Sequence, residues 1–202
     1  MTTLTDFISN TKEGMARPSH FSVMMSLPQS MAIENLFKSK IAKVMLFCDQ
    51  AALPGVSFGT SQVRDFGEFK EVPYEKLYEP ITLNFYVDTK MIVKYMFDIW
   101  MDKIQDTQTR INAWPKKYKT RIDIFTYDLQ NKQQYRVRLN EAYPKMVMPI
   151  QLDYANKDIM KMQVHFSYKY LTTTLVDLGI HIDGIPDSYL SDFDIFNLGI
   201  DI

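Results

Sequence analysis

Met160-Lys-Met-Gln-Val-His-Phe-Ser-Tyr-Lys-Tyr170 alternates without a fault: Met160, Met162, Val164, Phe166, Tyr168 and Tyr170 fall on one side, and Lys161, Gln163, His165, Ser167 and Lys169 on the other. A period of two belongs to a β-strand, and one apolar face against one polar face belongs to an antiparallel sheet with a dry side and a wet side. Working back along the chain, Ala155-Asn-Lys-Asp158 reads as the turn that feeds this strand. Met146 to Tyr154 reads as another strand, weakened by Pro149. Arg121 to Tyr127 and Gln134 to Asn140 read as two more, joined by a turn over Asp128 to Gln133. Ile81-Thr-Leu-Asn-Phe-Tyr-Val87 follows Pro80 with the same signature, and near the N-terminus Phe21, Val23, Met25 and Leu27 face away from Ser22, Met24 and Ser26.

Two segments depart from this pattern. Asp88 is placed to cap a helix over residues 89–105, with Ile92, Met96, Ile99 or Trp100, and Ile104 on its apolar face. Residues 56–78 have β-propensity and many aromatics but poor alternation. Phe58, Phe66, Phe69, Tyr74 and Tyr78 are interleaved with Arg64, Asp65, Glu68, Lys70 and Glu71, which reads as a projecting hairpin bent near Asp65 to Gly67. Gln29 to Lys40 reads as a loop with a short helical turn, the apolar run Ile41 to Cys48 as the second strand, and Ala52-Leu-Pro-Gly55 as a turn. The expected fold is mainly β with one α-helix, its antiparallel sheets packed as a barrel or sandwich, with the hairpin as an arm.

The chain of 202 residues is 46% hydrophobic, enough for one sizeable core. Its net charge of -1 excludes bulk attraction to nucleic acid or membrane, and no apolar run is long enough for a membrane helix. The balance hides an asymmetry, because residues 171–202 hold six Asp and no Lys or Arg. We therefore expect a β domain over residues 1–170 and an acidic extension over residues 171–202, with residues 172–202 dispensable for the core. Ile180, Ile182, Ile185, Tyr189, Phe193, Ile195, Phe196 and Leu198 make that extension too apolar for a solvated tail, which marks Phe193, Ile195, Phe196 and Leu198 as docking residues. A single cysteine, Cys48, excludes an intrachain disulfide and fits a chain made in a reducing cytoplasm.

Candidate chemistry is sparse. His20, His165 and His181 lack ligand spacing, and no nucleophile elbow, phosphate-binding glycine loop or dinucleotide fingerprint occurs. Cys48 ends an apolar run and reads as an inert core thiol. Asp98 and Asp102 stand one helical turn apart with Lys94 and Lys103 near, which reads as a solvated helix face. Arg121, Arg136, Arg138, Lys161 and Lys169 share the polar sides of strands, with Asp123 and Glu141 among them. That reads as a mixed solvated face, and a nucleic-acid-binding β module is the alternative. The expectation is a structural protein without catalytic residues, cofactor or metal. An enzyme with a dispersed active site is a rival that would show a pocket gathering histidines or acids.

Seven phrases occur in order: Ala16-Arg-Pro-Ser-His-Phe21, Cys48-Asp-Gln-Ala-Ala-Leu-Pro-Gly55, Pro80-Ile-Thr-Leu-Asn-Phe-Tyr-Val-Asp88, Phe97-Asp-Ile-Trp100, Glu141-Ala-Tyr-Pro144, Ile150-Gln-Leu-Asp-Tyr154 and Val164-His-Phe-Ser-Tyr-Lys-Tyr170. Together, over about residues 6–170, they resemble the tail tube protein family of contractile-tailed bacteriophages, to which type VI secretion tube proteins are related. The resemblance implies a virion protein made in the bacterial cytoplasm. Six copies would join sheets into a ring, and rings would stack into a tube inside a sheath. Its partners would be itself, the sheath, the baseplate and the tape measure protein, with DNA only as passing cargo and no membrane. A baseplate-proximal tube initiator is the alternative within the family. Ring closure would also remove exposed sheet edges, and the arm, with Phe58, Phe66, Phe69, Tyr74 and Tyr78 as anchors, would dock on a neighbour. A channel that passes DNA should avoid unneutralised cationic rings, so Lys161 and Lys169 are not expected both to face it.

Overall fold

The computed structural model describes residues 15–32, 35–155, 157–176 and 180–181. Along them run β1 (Phe21–Met25), α1 (Gln29–Ala32), α2 (Asn35–Leu46), β2 (Cys48–Ala51), β3 (Val56–Asp65), β4 (Glu68–Tyr78), β5 (Ile81–Tyr86), α3 (Ile92–Ile104), α4 (Pro115–Tyr118), β6 (Thr120–Tyr127), β7 (Gln133–Val147), β8 (Lys161–Ser167), β9 (Tyr170–Leu175) and β10 (Ile180–His181). Every strand pairing is antiparallel. One sheet runs β1-β6-β7-β9-β10 and the other β2-β5-β8-β7, so β7 belongs to both. Among the described residues β1 and β2 each pair on one side only, which leaves a sandwich-like body and not a closed barrel.

The alternation read from the sequence is the burial pattern of the core. Ile81, Leu83 and Phe85 of β5, Ile122 and Ile124 of β6, Val137 and Leu139 of β7, and Met162, Val164 and Phe166 of β8 are all buried. Helix α3 lies on this apolar layer through Val93, Met96, Phe97 and Trp100. These sit at the i, i+3, i+4, i+7 spacing of one helix face. The expected face was centred wrongly on Ile92, with Met96 and Trp100 shared, because Phe97 decides the rotation: its ring meets Phe85 at 5.2 Å, Phe166 at 6.0 Å and Trp100 at 6.2 Å. Trp100 is fully buried, and its Nε1 donates to the Tyr118 carbonyl at 2.9 Å, so its one polar atom is satisfied. Asp88 caps as expected, its Oδ1 accepting from the Ile92 amide at 2.8 Å and the Val93 amide at 3.4 Å, but the helix begins at Ile92, after a left-handed Met91.

Three expectations are corrected. The apolar run Ile41 to Cys48 is not the second strand: it lies mostly in α2, one of four helices among the described residues where one was expected. Ile41, Val44 and Met45 pack on the core at helical spacing while Lys43 points away to Asp88 at 3.2 Å, and a short apolar run cannot by itself distinguish the two periods. Met146 to Tyr154 is not a separate strand. β7 instead runs on through Pro144 to Val147 and a loop follows, because the chain bends rather than turns at Glu141, where φ is 54°.

The third correction concerns the strand to Tyr170 and the boundary drawn there. β8 stops at Ser167, and the chain bends at Tyr168-Lys169 before β9 resumes against β7, pairing Tyr170 to Leu175 with Asn140 to Tyr135. Leu171 is part of the core, so the sheet continues past residue 170 and residues 172–175 are ladder partners of β7. Two extended segments, β7 and β8-β9, thus bend at the same level and cross from one sheet to the other together. The Lys169 ammonium donates to Glu141 at 3.2 Å across that corner.

Candidate assembly surface

β3 and β4 form a two-stranded sheet of their own. Their register runs from Val56 opposite Tyr78 to Asp65 opposite Glu68, which leaves Phe66-Gly67 as a two-residue turn. At roughly 3.3 Å per residue, a strand of this length carries the tip about 30 Å from the base. The arm expected over residues 56–78 is therefore present, with its bend where the sequence put it.

The aromatics of the arm occupy distinct places. Phe66 stands at the tip with its ring wholly exposed, and Phe58, Phe69 and Tyr74 are each about two-thirds exposed along the shaft. Val56, Val63, Val72 and Leu77 add further exposed apolar surface. Tyr78 differs from the other four. It is half-buried at the base, packed on the core with its ring 5.8 Å from that of Tyr168, and so anchors the arm to its own body.

Local chemistry shapes the hairpin. A two-residue hairpin loop needs positive φ at its centre, which Asn-Gly or Gly-Gly adopt easily. Here φ is +108° at Gly67 and +48° at Phe66. The left-handed region costs an L-residue roughly 1–2 kcal/mol, and a bulky aromatic has no local hydrogen bond to offset it. Farther down, the register slips between Gly59 and Thr60, and a bulge leaves Tyr74 across from this step. A Cβ at Gly59 would lie 3.0 Å from the Tyr74 ring, so glycine makes room for that ring to lie on the backbone. The Arg64 guanidinium covers one face of Phe69, 5.4 Å from its centroid.

The polar sheet faces are largely self-neutralising. Asp123 accepts from Arg138 at 2.9 Å and Arg136 at 3.2 Å, and burial pushes its carboxyl up against the pull of Arg138. Lys161 pairs with Asp49 at 2.6 Å, and Lys119 with Glu141 at 2.8 Å alongside Lys169. The basic strand residues of the sequence are thus interleaved with carboxylates and do not form a continuous cationic face. Lys94 pairs with Asp98, and Thr107 donates to Asp102, so the two helix carboxylates act separately.

The remaining candidates are dispersed. His165 contacts the Thr82 hydroxyl at 3.0 Å and His20 the Asp128 carbonyl at 3.3 Å, in different parts of the body. The Cys48 thiol is pushed up to about 12, chiefly by burial, which suits an inert core cysteine. Among the described residues no three His, Cys, Asp or Glu side chains are placed to hold a metal ion. A groove of about 670 Å³ near α4 has Glu141 as its one acidic lining residue, already engaged by two lysines. Phe193, Ile195, Phe196 and Leu198 lie outside the described residues.

Exposed apolar groups that the sequence reading did not mark as contact residues are Ile111 and Trp114, before α4, and Leu152, Tyr154 and Ile159, in the loop between β7 and β8. The signal was present, since Trp114 precedes a proline in a linker and Tyr154 ends a phrase wrongly assigned to a strand.

Comparison with known proteins gives a consistent result. A family model described as phage tail tube protein matches residues 16–174, and a search of curated proteins gives no match. Among solved structures, the chain is similar to the tube-terminating cap of the anti-feeding prophage (TM-score 0.59, 17% identity, 80% of this chain and 91% of that one). It is similar also to a chain of the PVC sheath-tube complex of an extracellular contractile injection system (0.58, 17%, 86% and 99%) and to one of the anti-feeding prophage baseplate (0.58, 12%, 80% and 97%). At these identities the structural likeness concerns the fold, and the family model, spanning both sheets, the arm and α3, carries the assignment. The chain belongs to the phage tail tube protein family.

Proposed function

We propose that this protein is a ring-forming subunit of a contractile tail: six copies close a ring, rings stack into an inner tube within a sheath, and DNA passes through the bore. The observation that carries this reading is the arm, whose apolar surface is presented outside the body that makes it. A lone two-stranded hairpin is marginal in water, so this one needs a covering surface, and a second copy of the chain supplies one in every assembled ring or stack. The sides of β1 and β2 that are unpaired among the described residues support the same reading, because edge-to-edge joining of neighbours would satisfy them. The neutralised polar faces suit a bore through which phosphates must move without being retained. The sheath, baseplate and tape measure protein are the further partners, and the acidic C-terminal segment, with Phe193, Ile195, Phe196 and Leu198, docks on one of them or on the next ring.

A second reading within the family is a ring at one end of the tube, such as a baseplate-proximal initiator. The equal likeness to chains of a tube-terminating cap, a sheath-tube complex and a baseplate supports it. Negative-stain microscopy of the purified protein over a range of concentrations tests both. Tubes of even bore that lengthen with concentration support the tube subunit, rings that do not lengthen support the end ring, and monomers at all concentrations would refute assembly. Phe66→Ser with Phe69→Ser should leave a folded subunit that forms no tubes.

A further inference from the structure

The turn of the arm is built against its own stability. Asp65 and Glu68 are register partners, so Phe66 and Gly67 are the two central residues, and both have positive φ. Gly67 meets that demand without strain. Phe66 does not, and at the very tip its fully exposed ring gains no packing from its own subunit in exchange. The residue the backbone favours at this place is Asn, since Asn-Gly is the pair such turns adopt most readily. Strain without local reward at an exposed point is the pattern of a residue held for function.

We propose that Phe66 is the specificity-determining residue of the arm. It is a rigid apolar plug held at the tip at the expense of the turn and seated in a second copy of this chain. This rests on the assembly reading above and adds the residue, its cost and its occupant. Several features select a second copy over nucleic acid or a membrane. Residues 56–78 carry four acidic and three basic side chains, so the arm has no net positive charge to meet phosphates or anionic lipid. Arg64, the basic residue nearest the tip on β3, is turned onto Phe69. A single aromatic seated in a desolvated pocket is a common way for an interface to concentrate its energy, whereas the shaft's half-exposed groups serve to exclude water. The exposed loop at Leu152, Tyr154 and Ile159 offers apolar surface of the needed kind on every copy.

Two full-length variants, Phe66→Asn and Phe66→Trp in a Trp114→Phe background, and an armless chain with residues 57–77 replaced by a short turn test this. For Phe66→Asn in dilute, unassembled protein, hydrogen exchange of the β3 and β4 amides should slow by roughly tenfold as the turn relaxes, while tube or ring formation is lost. In Phe66→Trp, the indole emission left after subtracting that of the Trp114→Phe parent, which retains buried Trp100, should be that of a solvated ring when dilute and shift to the blue on assembly. Faster exchange in Phe66→Asn would show that the ring supports its own hairpin and would overturn the proposal. So would normal assembly of Phe66→Asn, or an emission maximum that does not move, provided the armless chain fails to assemble. Assembly of the armless chain would instead overturn the underlying reading of the arm.

Discussion

Asp88 holds two elements at once. Its carboxylate accepts from the first amides of α3 and pairs with Lys43 of α2, so the helix that carries Phe97 and Trp100 is tied to the helix that packs on β1. Burial works against that charge, but Lys43 and the two amides outweigh it and hold the carboxyl below its ordinary range. Asp88→Ala is expected to destabilise the subunit by about 1–2 kcal/mol, the usual loss for a helix cap, read as a lower denaturation midpoint at unchanged slope. The cap was legible in the sequence, because Asp before an apolar-periodic run is a local signal. Its partner was not, since Lys43 lies 45 residues away and nothing local records that α2 passes beside it.

At the scale of elements, the corner shared by β7 and β8-β9 is the feature the strand patterns concealed. Both segments keep a period of two, so alternation alone reads straight through a bend and placed strand ends at Asn140 and Tyr170 where a crossing occurs. Glu141 sits at that bend with positive φ, receiving Lys119 and Lys169. The Lys119 contact above all, then that of Lys169, holds its carboxyl below the ordinary range. A depressed folded-state value means that the unfolded chain binds the proton first. The contribution is thus present above the ordinary carboxylate range and lost as pH falls through the lowered value. Glu141→Gln should therefore be less stable than the parent at neutral pH, with the gap between their denaturation midpoints closing on acidification. A gap independent of pH would show that the bend, and not the ion pairs, sets the difference. The arm, in contrast, was legible, since aromatics mixed with charges over 23 residues cannot be hidden in either face of a sheet.

For the whole molecule, the antiparallel pairing and α3 followed from periodicity, whereas the choice of sandwich over barrel, the helical nature of Ile41 to Leu46 and the true extent of the sheet did not. The composition change at residue 171 suggested an edge that the hydrogen-bond ladder does not respect, because β9 places Thr172, Thr173 and Thr174 opposite Arg138, Val137 and Arg136. Truncation therefore has a threshold. A chain ending at residue 176 is expected to keep its cooperative unfolding, while one ending at residue 169 loses Leu171 from the core and exposes the edge of β7. That chain should melt lower and aggregate. Circular dichroism melts of the two forms, with light scattering, distinguish this from a body that ends at residue 170, for which both would behave alike.

In the assembly proposed above, the arm would divide each subunit into a part that gives and a part that receives. The tip stands at the end of a ten-residue hairpin strand, about 30 Å from its base, so damage at the tip would leave the body intact. A copy with a disabled tip would still present a sound receiving surface, join a growing end, and offer nothing for the next copy to hold. In a mixed population such copies would act as chain terminators, and a defect at Phe66 would be felt by neighbours that do not carry it.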